Sequence, residues 1–280
     1  SFTMLPPPML TEIKAGRFTL RGASLGGMYT SIHVPELDAC FDVGVAVRSA
    51  ASVTHLFLSH AHVDHVGALA TLLGMRGLSG VKRKLIIHLP EGTEGPLAES
   101  LAVLSQLHRW PLEFEARPMR PGDEVRLKGK RVVRAFKTYH PVPSLGYAVL
   151  ERVQKLKPQF AELPGQRIGE LRRAGADIFD ELERPLLAYA TDTLPEVLRQ
   201  EPWLGDVETL IMECTFLDER KTIHAARAGC HIHLDELLGY HELLRNPHLV
   251  LMHFSQIYRP DEVRAILSQR LPTGLVDRTI

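Results

Sequence analysis

Residues 54–65 combine an apolar strand with a run of side chains of the types that commonly bind metals in proteins. Thr54-His55-Leu56-Phe57-Leu58 is typical of a buried strand, and His60, His62, Asp64 and His65 follow it. In an extended chain, side chains two positions apart point to the same side, so His60 and His62 share one side. Asp64 and His65 come where the chain turns into a helix and face a second point. Two imidazoles for one metal and a mixed oxygen–nitrogen pair for its neighbour suit zinc. The alternative is a polar loop with incidental histidines and an Asp that caps a helix.

The rest of the chain alternates short strands with helices, which predicts sheets covered by helices, an α/β layered fold. Its 280 residues, 45% of them hydrophobic, can bury a sizeable core. We expect one domain over residues 4–280, after a vector-like Ser1-Phe2-Thr3, with a polar insertion at 151–185 that carries a small helix at 170–174. Further strands are predicted at 17–21, 31–34, 39–42, 84–88, 113–116, 124–127, 131–136, 145–150, 186–191, 209–214 and 249–254, and further helices from 64 and at 96–110, 234–241 and 260–269.

Three polar residues downstream stand at the ends of predicted strands. They are His140, Asp192 and His253. Taken singly, a histidine after a strand is more often structural than a ligand. Together with the first cluster, these residues complete two coordination spheres.

Charge and cysteine content exclude several classes of protein. Lys and Arg total 33 and Asp and Glu total 33, so any nucleic-acid contact requires a local basic patch. The three cysteines form no CxxC pair, which excludes a disulfide scaffold or zinc ribbon and fits a reducing compartment. Without a signal peptide or a long apolar run, we expect a cytoplasmic protein, or a nuclear one in a eukaryote, with no membrane span.

Several motifs carry a family resemblance. His60-Ala61-His62-Val63-Asp64-His65 resembles the HxHxDH signature of the metallo-β-lactamase superfamily. Within it, the chain resembles short-form tRNase Z, the endoribonuclease that processes tRNA 3′ ends, over nearly its whole length. The compact plant nuclear type and its bacterial relatives are the most similar. The narrower motifs that match are His140-Pro141-Val142-Pro143-Ser144-Leu145-Gly146-Tyr147, Thr191-Asp192-Thr193, Glu213-Cys214-Thr215-Phe216, Cys230-His231-Ile232-His233 and Leu251-Met252-His253-Phe254-Ser255.

The resemblance implies a four-layer αββα fold with a short exosite-like insertion and two zinc ions per chain, with manganese or iron as alternatives. His60, His62 and His140 would bind one ion, Asp64, His65 and His253 the other, and Asp192 would bridge them. Asp42 would orient the ligand histidines from behind, or be a simple turn residue.

The implied activity is that of a dinuclear zinc phosphodiesterase, an endoribonuclease that removes 3′ trailers from tRNA precursors by means of metal-bound hydroxide. Asp64 would also orient the water or take its proton, and His231 would protonate the leaving 3′ oxygen with Glu213 as its partner. His231 could instead be a core histidine, and Glu213 a structural carboxylate at a strand end.

Predicted substrate contacts are Ser144, Tyr147, Arg76, Lys155 and Lys157, and the resemblance also implies a homodimer. The stretches 117–137 and 151–173 are basic, and the insertion is the better candidate for gripping RNA because 117–137 could be a solvated face. The alternative functions are a hydrolase of small esters or phosphodiesters from the same superfamily and a binding module without catalysis.

Overall fold

The computed structural model describes residues 10–280. The predicted vector remnant and the first residues of the predicted domain, 4–9, lie outside the described part. Within residues 10–280, no helix is long and apolar enough to cross a bilayer.

Two β-sheets form the centre of the molecule. In the first, β1 to β4 are antiparallel and β4 to β7 are parallel. Its strands, in spatial order, are β1 (Thr11–Ala15), β2 (Phe18–Leu25), β3 (Tyr29–Val34), β4 (Ala39–Phe41), β5 (His55–Phe57), β6 (Leu85–Pro90) and β7 (Phe114–Met119). In the second, β11 to β13 are parallel and the other pairs antiparallel. Its strands, in spatial order, are β13 (His248–Met252), β12 (Thr209–Glu213), β11 (Phe179–Ala190), β10 (Leu145–Leu156), β9 (Arg131–Lys137) and β8 (Glu124–Arg126).

Helices cover the outer faces of both sheets. The helices are α1 (Val63–Val66), α2 (Leu69–Leu78), α3 (Glu94–His108), α4 (Gly165–Arg173), α5 (Val197–Gln200), α6 (Ile223–Ala228), α7 (Leu234–Leu238), α8 (Pro260–Arg270) and α9 (Thr273–Val276).

Alternation along the strands divides the apolar side chains among three cores. In β10, Tyr147 and Val149 point to the core between the sheets, whereas Ala148 and Leu150 point to the core under α5, α7, α8 and α9. A third core packs the outer face of the first sheet against α2 and α3, with Leu101 as the fully buried contact of α3. The arrangement confirms the predicted αββα layers.

Both ends of the predicted insertion at 151–185 belong to the second sheet. β10 and β11 remain paired from Tyr147–Tyr189 out to Leu156–Phe179, so only residues 157–178 leave the sheet. β9 stops opposite Glu151, and beyond it β10 and β11 continue as a two-stranded arm. The predicted strands ended at 150 and began again at 186 because both faces of this arm are largely solvated and lack an apolar pattern. The helix in it, α4, also begins five residues before the predicted 170.

The ends of strands from both sheets meet at one edge of the molecule. β4 and β5 run parallel in the first sheet, and β9, β11, β12 and β13 share one direction in the second. A backbone hydrogen bond from Leu145 N to Ser59 O joins the two sheets at this edge. Residues that follow these strands therefore lie together, and His65 and His253, for example, meet across 188 positions of the chain.

Candidate metal centre

Three histidines and one aspartate form the first ligand group. Nε2 of His60 lies 3.0 Å from Nδ1 of His62, which lies 3.1 Å from Nε2 of His140. Oδ2 of Asp192 lies 3.6 Å from Nε2 of His60, and the ligand atoms of the group all fall within 4.8 Å of one another. The strand ends thus bring His140 and Asp192 to the histidine pair that follows β5.

The second group lies beside the first and shares Asp192 with it. Nε2 of His65 is 3.4 Å from Nε2 of His253, and Oδ2 of Asp64 is 3.6 Å from each of these nitrogens. The Asp192 carboxylate has one oxygen 3.4 Å from His65 Nε2 and the other 3.4 Å from His253 Nε2. Asp192 is the one residue that belongs to both of these groups, as the bridging role requires.

Asp42 holds His65 from behind. One oxygen of the fully buried carboxylate accepts hydrogen bonds from Nδ1 of His65 at 2.8 Å, the Ser59 hydroxyl at 2.7 Å and the Tyr189 hydroxyl at 2.7 Å, and the other accepts the Ser59 backbone N–H at 2.7 Å. With Nδ1 held by Asp42, Nε2 of His65 points to the centre, where it is placed to ligate a cation.

Hydroxyl groups fix His60 and His253 in the same way. The Ser59 hydroxyl already donates to Asp42, so it accepts from His60 Nδ1 at 3.0 Å. The Thr215 hydroxyl donates to Glu213 Oε2 at 2.6 Å and accepts from His253 Nδ1 at 3.0 Å. Each ring therefore keeps Nε2 unprotonated and directed inward.

Burial sets the protonation of the cluster. It lowers the pKa of His60 to about 2 and that of His140 to about 4, since a charged imidazole loses its hydration there. Burial alone would raise the pKa of Asp64, but its hydrogen bond with His253 and the charge of His65 bring that pKa to about 2. The neutral imidazoles of His60 and His140 therefore meet the ionised carboxylate of Asp64 at neutral pH.

The donor set fits two divalent cations. Nδ1 of His62 lies about 3 Å from Nε2 of His60 and about 3 Å from Nε2 of His140. A single hydrogen atom cannot bridge all three nitrogens. Their inward lone pairs therefore repel one another unless a cation lies among them. Five imidazoles and two carboxylates, with His60, His65 and His253 held by ordered outer partners, suit zinc.

The backbone at the centre is locally strained. Asp42, Asp192 and His253 have φ of 56°, 49° and 61°, a left-handed conformation that costs side-chain-bearing residues free energy. Asp42 and His253 immediately follow a strand, and Asp192 follows one after a single residue. The sharp turn there aims each side chain across the sheet edge rather than along the strand.

A histidine–glutamate pair borders both groups. Nδ1 of His231 is 3.3 Å from Oε1 of the buried Glu213, and the His231 ring is 5.3 Å from that of His253 and 5.9 Å from that of His140. Burial opposes protonation of His231, but the hydrogen bond and charge of Glu213 raise its pKa to about 9. The imidazolium is 22% exposed, so a ligand can reach it.

Two of the five residues predicted to contact substrate are buried away from any ligand. Tyr147 is fully buried and its hydroxyl donates to Leu58 O at 2.6 Å, so the structure corrects its role to a core residue. Arg76 is also buried, donating to the carbonyls of Ala51, Val53 and Arg83, so it braces the first sheet and faces no substrate.

The other three predicted contacts are accessible. Ser144 is partly exposed and accepts a hydrogen bond from Thr138. Lys155 is exposed on the arm, and Lys157 forms an ion pair with Asp177 at 2.6 Å. Both lysines lie at the far end of β10 from the ligand groups, on the order of 35 Å along the strand.

Sequence reasoning missed three supporting residues: Ser59, Thr215 and Tyr189. Ser59 and Thr215 were visible as hydroxyl residues inside or next to the quoted motifs, and their short reach suits them to ring nitrogens of a neighbour. Tyr189 lies 147 positions from Asp42 and its contact had no signal in the sequence.

The fold has two facing sheets between layers of helices, and one aspartate joins two histidine–carboxylate groups at a sheet edge. Together, this fold and this site define a hydrolase of the metallo-β-lactamase superfamily. The family model for the Beta-lactamase superfamily domain matches residues 36–254. Two relatives from Arabidopsis thaliana are similar over most of the chain. "tRNase Z TRZ1" is 32% identical over 93% of this chain and 93% of its own, and "tRNase Z TRZ2, chloroplastic" is 33% identical over 88% and 70%. The chain belongs to the tRNase Z family, also called ribonuclease Z. The human short-form tRNase Z structure shares the fold, with a TM-score of 0.52 at 20% identity over 78% of this chain and 82% of its own.

Proposed function

We propose that this protein is an endoribonuclease that removes 3′ trailers from tRNA precursors by metal-dependent phosphodiester hydrolysis. The observation that carries the proposal is the pair of ligand groups sharing Asp192 with the His231–Glu213 pair beside both. Membership of the tRNase Z family supports tRNA as the substrate.

His60, His62, His140 and Asp192 would hold one divalent ion, and Asp64, His65, His253 and Asp192 the other. The donor set favours zinc, with manganese or iron as alternatives. When bound, the two ions would lower the pKa of the attacking water and offset the charge of the phosphate. The first test is metal analysis of protein purified without chelator. Two ions per chain are expected in the wild type and fewer than one after Asp192→Ala.

The protein side chains divide the remaining work. Asp64 orients the attacking water through its ionised carboxylate, which also accepts a hydrogen bond from Gly27 N at 3.1 Å. The attack forms a new oxygen–phosphorus bond and breaks the bond to the 3′ oxygen of the tRNA, so that oxygen needs a proton. His231 supplies it, and Glu213 keeps the imidazole charged and turned toward the centre.

The decisive experiment compares two substrates. Purified protein is incubated with a tRNA that carries a 3′ trailer and, separately, with bis-p-nitrophenyl phosphate. We expect cleavage of the RNA to leave a 3′ hydroxyl on the tRNA. Hydrolysis of the small ester alone would overturn the RNase proposal in favour of a small-molecule phosphodiesterase.

We also propose a homodimer in which the arm of one chain presents RNA to the metals of the other. The arm ends far from its own ligand groups, and α3 exposes apolar side chains along one side, including Val103, Leu104 and Leu107, with Trp110 just beyond. Light scattering at micromolar concentration should give twice the chain mass. A monomeric mass would contradict the proposal.

A cytoplasmic location, or a nuclear one in a eukaryote, completes the proposal. It is supported by the three free cysteines, of which Cys40 and Cys214 are buried. Fractionation of cells that express the tagged protein would test it.

A further inference from the structure

The two basic stretches of the sequence meet in one cleft. It encloses about 390 Å³ between the β8–β9 turn, the base of the arm and α4. Its charged lining residues are Arg126, Lys130, Arg131, Arg152, Arg172 and Glu181. The two stretches lie apart in sequence, and antiparallel pairing of β9 with β10 brings them together.

Several cations in and around the cleft, Arg152 among them, are neutralised by carboxylates. Arg134 and Arg152 share Glu124 and Glu183, Arg184 pairs with Glu151, and these ion pairs tie neighbouring strands together. Such pairs leave little field for a ligand.

Four cations of the cleft form no salt bridge in residues 10–280. Arg126 and Lys130 are exposed, and Arg172 lies over the Phe179 ring at 5.6 Å. Arg131 donates to the Glu36 carbonyl and stands opposite Glu151, which pairs with Arg184. Within the lining, Glu181 offers the single opposing charge. The cleft is therefore a concentrated positive surface in a chain whose overall charge is zero.

We propose that this basic cleft binds consecutive backbone phosphates of the RNA substrate. This inference rests on the proposed function and names a surface for it away from the metals. Arginine forks and a lysine match phosphate oxygens, and two walls that carry four cations outside salt bridges suit a run of phosphates better than one small anion.

The position of the cleft determines which RNA it can reach. From Leu145, which bonds to Ser59 at the metal edge, to Arg152 in the cleft, β10 spans seven residues, about 24 Å. A phosphate in the cleft thus belongs to RNA several base pairs from the cleavage point, or to a substrate bound at the centre of a second chain. A small phosphodiester cannot occupy both places.

The test uses a pair of matched double variants. Lys130→Gln/Arg172→Gln removes two charges from the cleft, and Arg48→Gln/Arg264→Gln removes two from exposed positions outside both the cleft and the arm. KM for trailer-bearing tRNA is measured between about 50 and 200 mM salt. Hydrolysis of bis-p-nitrophenyl phosphate is measured alongside.

For the cleft variant we expect KM for tRNA to rise about tenfold at low salt, and the slope of log KM against log salt to become shallower by about 1 to 2. Hydrolysis of the small ester should stay unchanged, and the control variant should keep KM within about twofold. The charge-preserving Lys130→Arg/Arg172→Lys should behave as the control does. A cleft variant with unchanged KM and slope, or a control that loses as much, would overturn the inference.

Direct binding separates this inference from the proposed function. Fluorescence anisotropy with labelled tRNA precursor reports affinity whether or not the RNA is cut. If the wild type hydrolyses only the small ester, the proposed function fails, yet a roughly tenfold weaker binding by the cleft variant alone would still support the cleft. Equal affinity of all variants would refute it even in an active RNase.

Discussion

Asp42 shows how much a single buried carboxylate can organise. It touches none of the inward ligand atoms, yet its four hydrogen bonds join the first histidine motif, through His65 and Ser59, to Tyr189 of the opposite sheet. An asparagine would keep the shape but could not accept from all four donors.

Asp42→Asn should therefore weaken metal binding by about 10- to 100-fold, since His65 loses the partner that fixes its tautomer. Titration of metal into stripped protein measures the change. Asp38→Asn is the control, because Asp38 is also left-handed and accepts hydrogen bonds from Thr54, but lies away from the ligand groups. Equal loss in both variants would contradict the role assigned to Asp42.

His231 offers a test at the same scale. His231→Gln should lower kcat on trailer-bearing tRNA by about 10² to 10⁴, because the leaving 3′ oxygen loses its proton donor. Bis-p-nitrophenyl phosphate has a good leaving group and should be hydrolysed nearly as before. His224→Gln, an exposed histidine of α6, should leave both rates unchanged.

The pH profile adds a second readout for His231. Its pKa of about 9 describes the chain's own residues, and bound dications would lower it by repulsion. The wild-type rate on RNA should therefore fall on an alkaline limb at or below about pH 9, as the donor loses its proton. Persistence of that limb in His231→Gln would assign it to another group.

At the level of elements, the turns after strands decide the geometry of the centre. The segment after β4 runs against α1, with Val43 N donating to His65 O at 2.7 Å and Gly44 N donating to Thr30 O at 2.8 Å. A Cβ at Gly44 would lie 1.8 Å from Asp64 O, closer than any side chain permits. Glycine is needed there because two backbones touch.

Gly44→Ala should push α1 away and disturb Asp64 and His65 together. We expect a loss of roughly 1–3 kcal/mol in the free energy of unfolding, with metal content reduced as well. Thermal unfolding and metal analysis measure both. Gly95→Ala in α3, where a Cβ meets nothing within 4 Å, should leave the metal content intact. An unaltered Gly44→Ala protein would show that the turn is more compliant than the structure indicates.

At the level of the whole molecule, the metal centre joins the two halves of the fold. His60, His62, Asp64 and His65 come from the first sheet and its helix, and the other ligands come from the second sheet. Bound metals would therefore stabilise the contact between the sheets as well as the site itself.

Removal of the metals should lower the melting temperature, and readdition should restore it. Ligand bound at a thousandfold excess over Kd contributes about 4 kcal/mol to the free energy of unfolding. Differential scanning calorimetry of loaded and stripped protein measures the shift, and stripped Asp192→Ala should respond little to added metal. If added metal left the melting temperature of the stripped wild type unchanged, the result would contradict a centre that spans both sheets.

The amino-acid sequence by itself determined the local features of this protein. Apolar runs followed at once by His, Asp or Glu predicted the strands and the residues at their ends, because strand periodicity and polar strand ends are local properties. β1 was missed because its exposed, charged residues at the sheet edge lack an apolar pattern. The motifs named the family for the same local reason.

Only the tertiary structure decided which of these residues act together. Tyr147 and Arg76 were predicted to contact substrate, yet packing buries both and turns them to backbone carbonyls. Conversely, Lys130 and Arg172 stand 42 positions apart and meet only because β9 and β10 pair. Burial and cleft formation depend on contacts between segments distant in the chain, and no local pattern of residues encodes them.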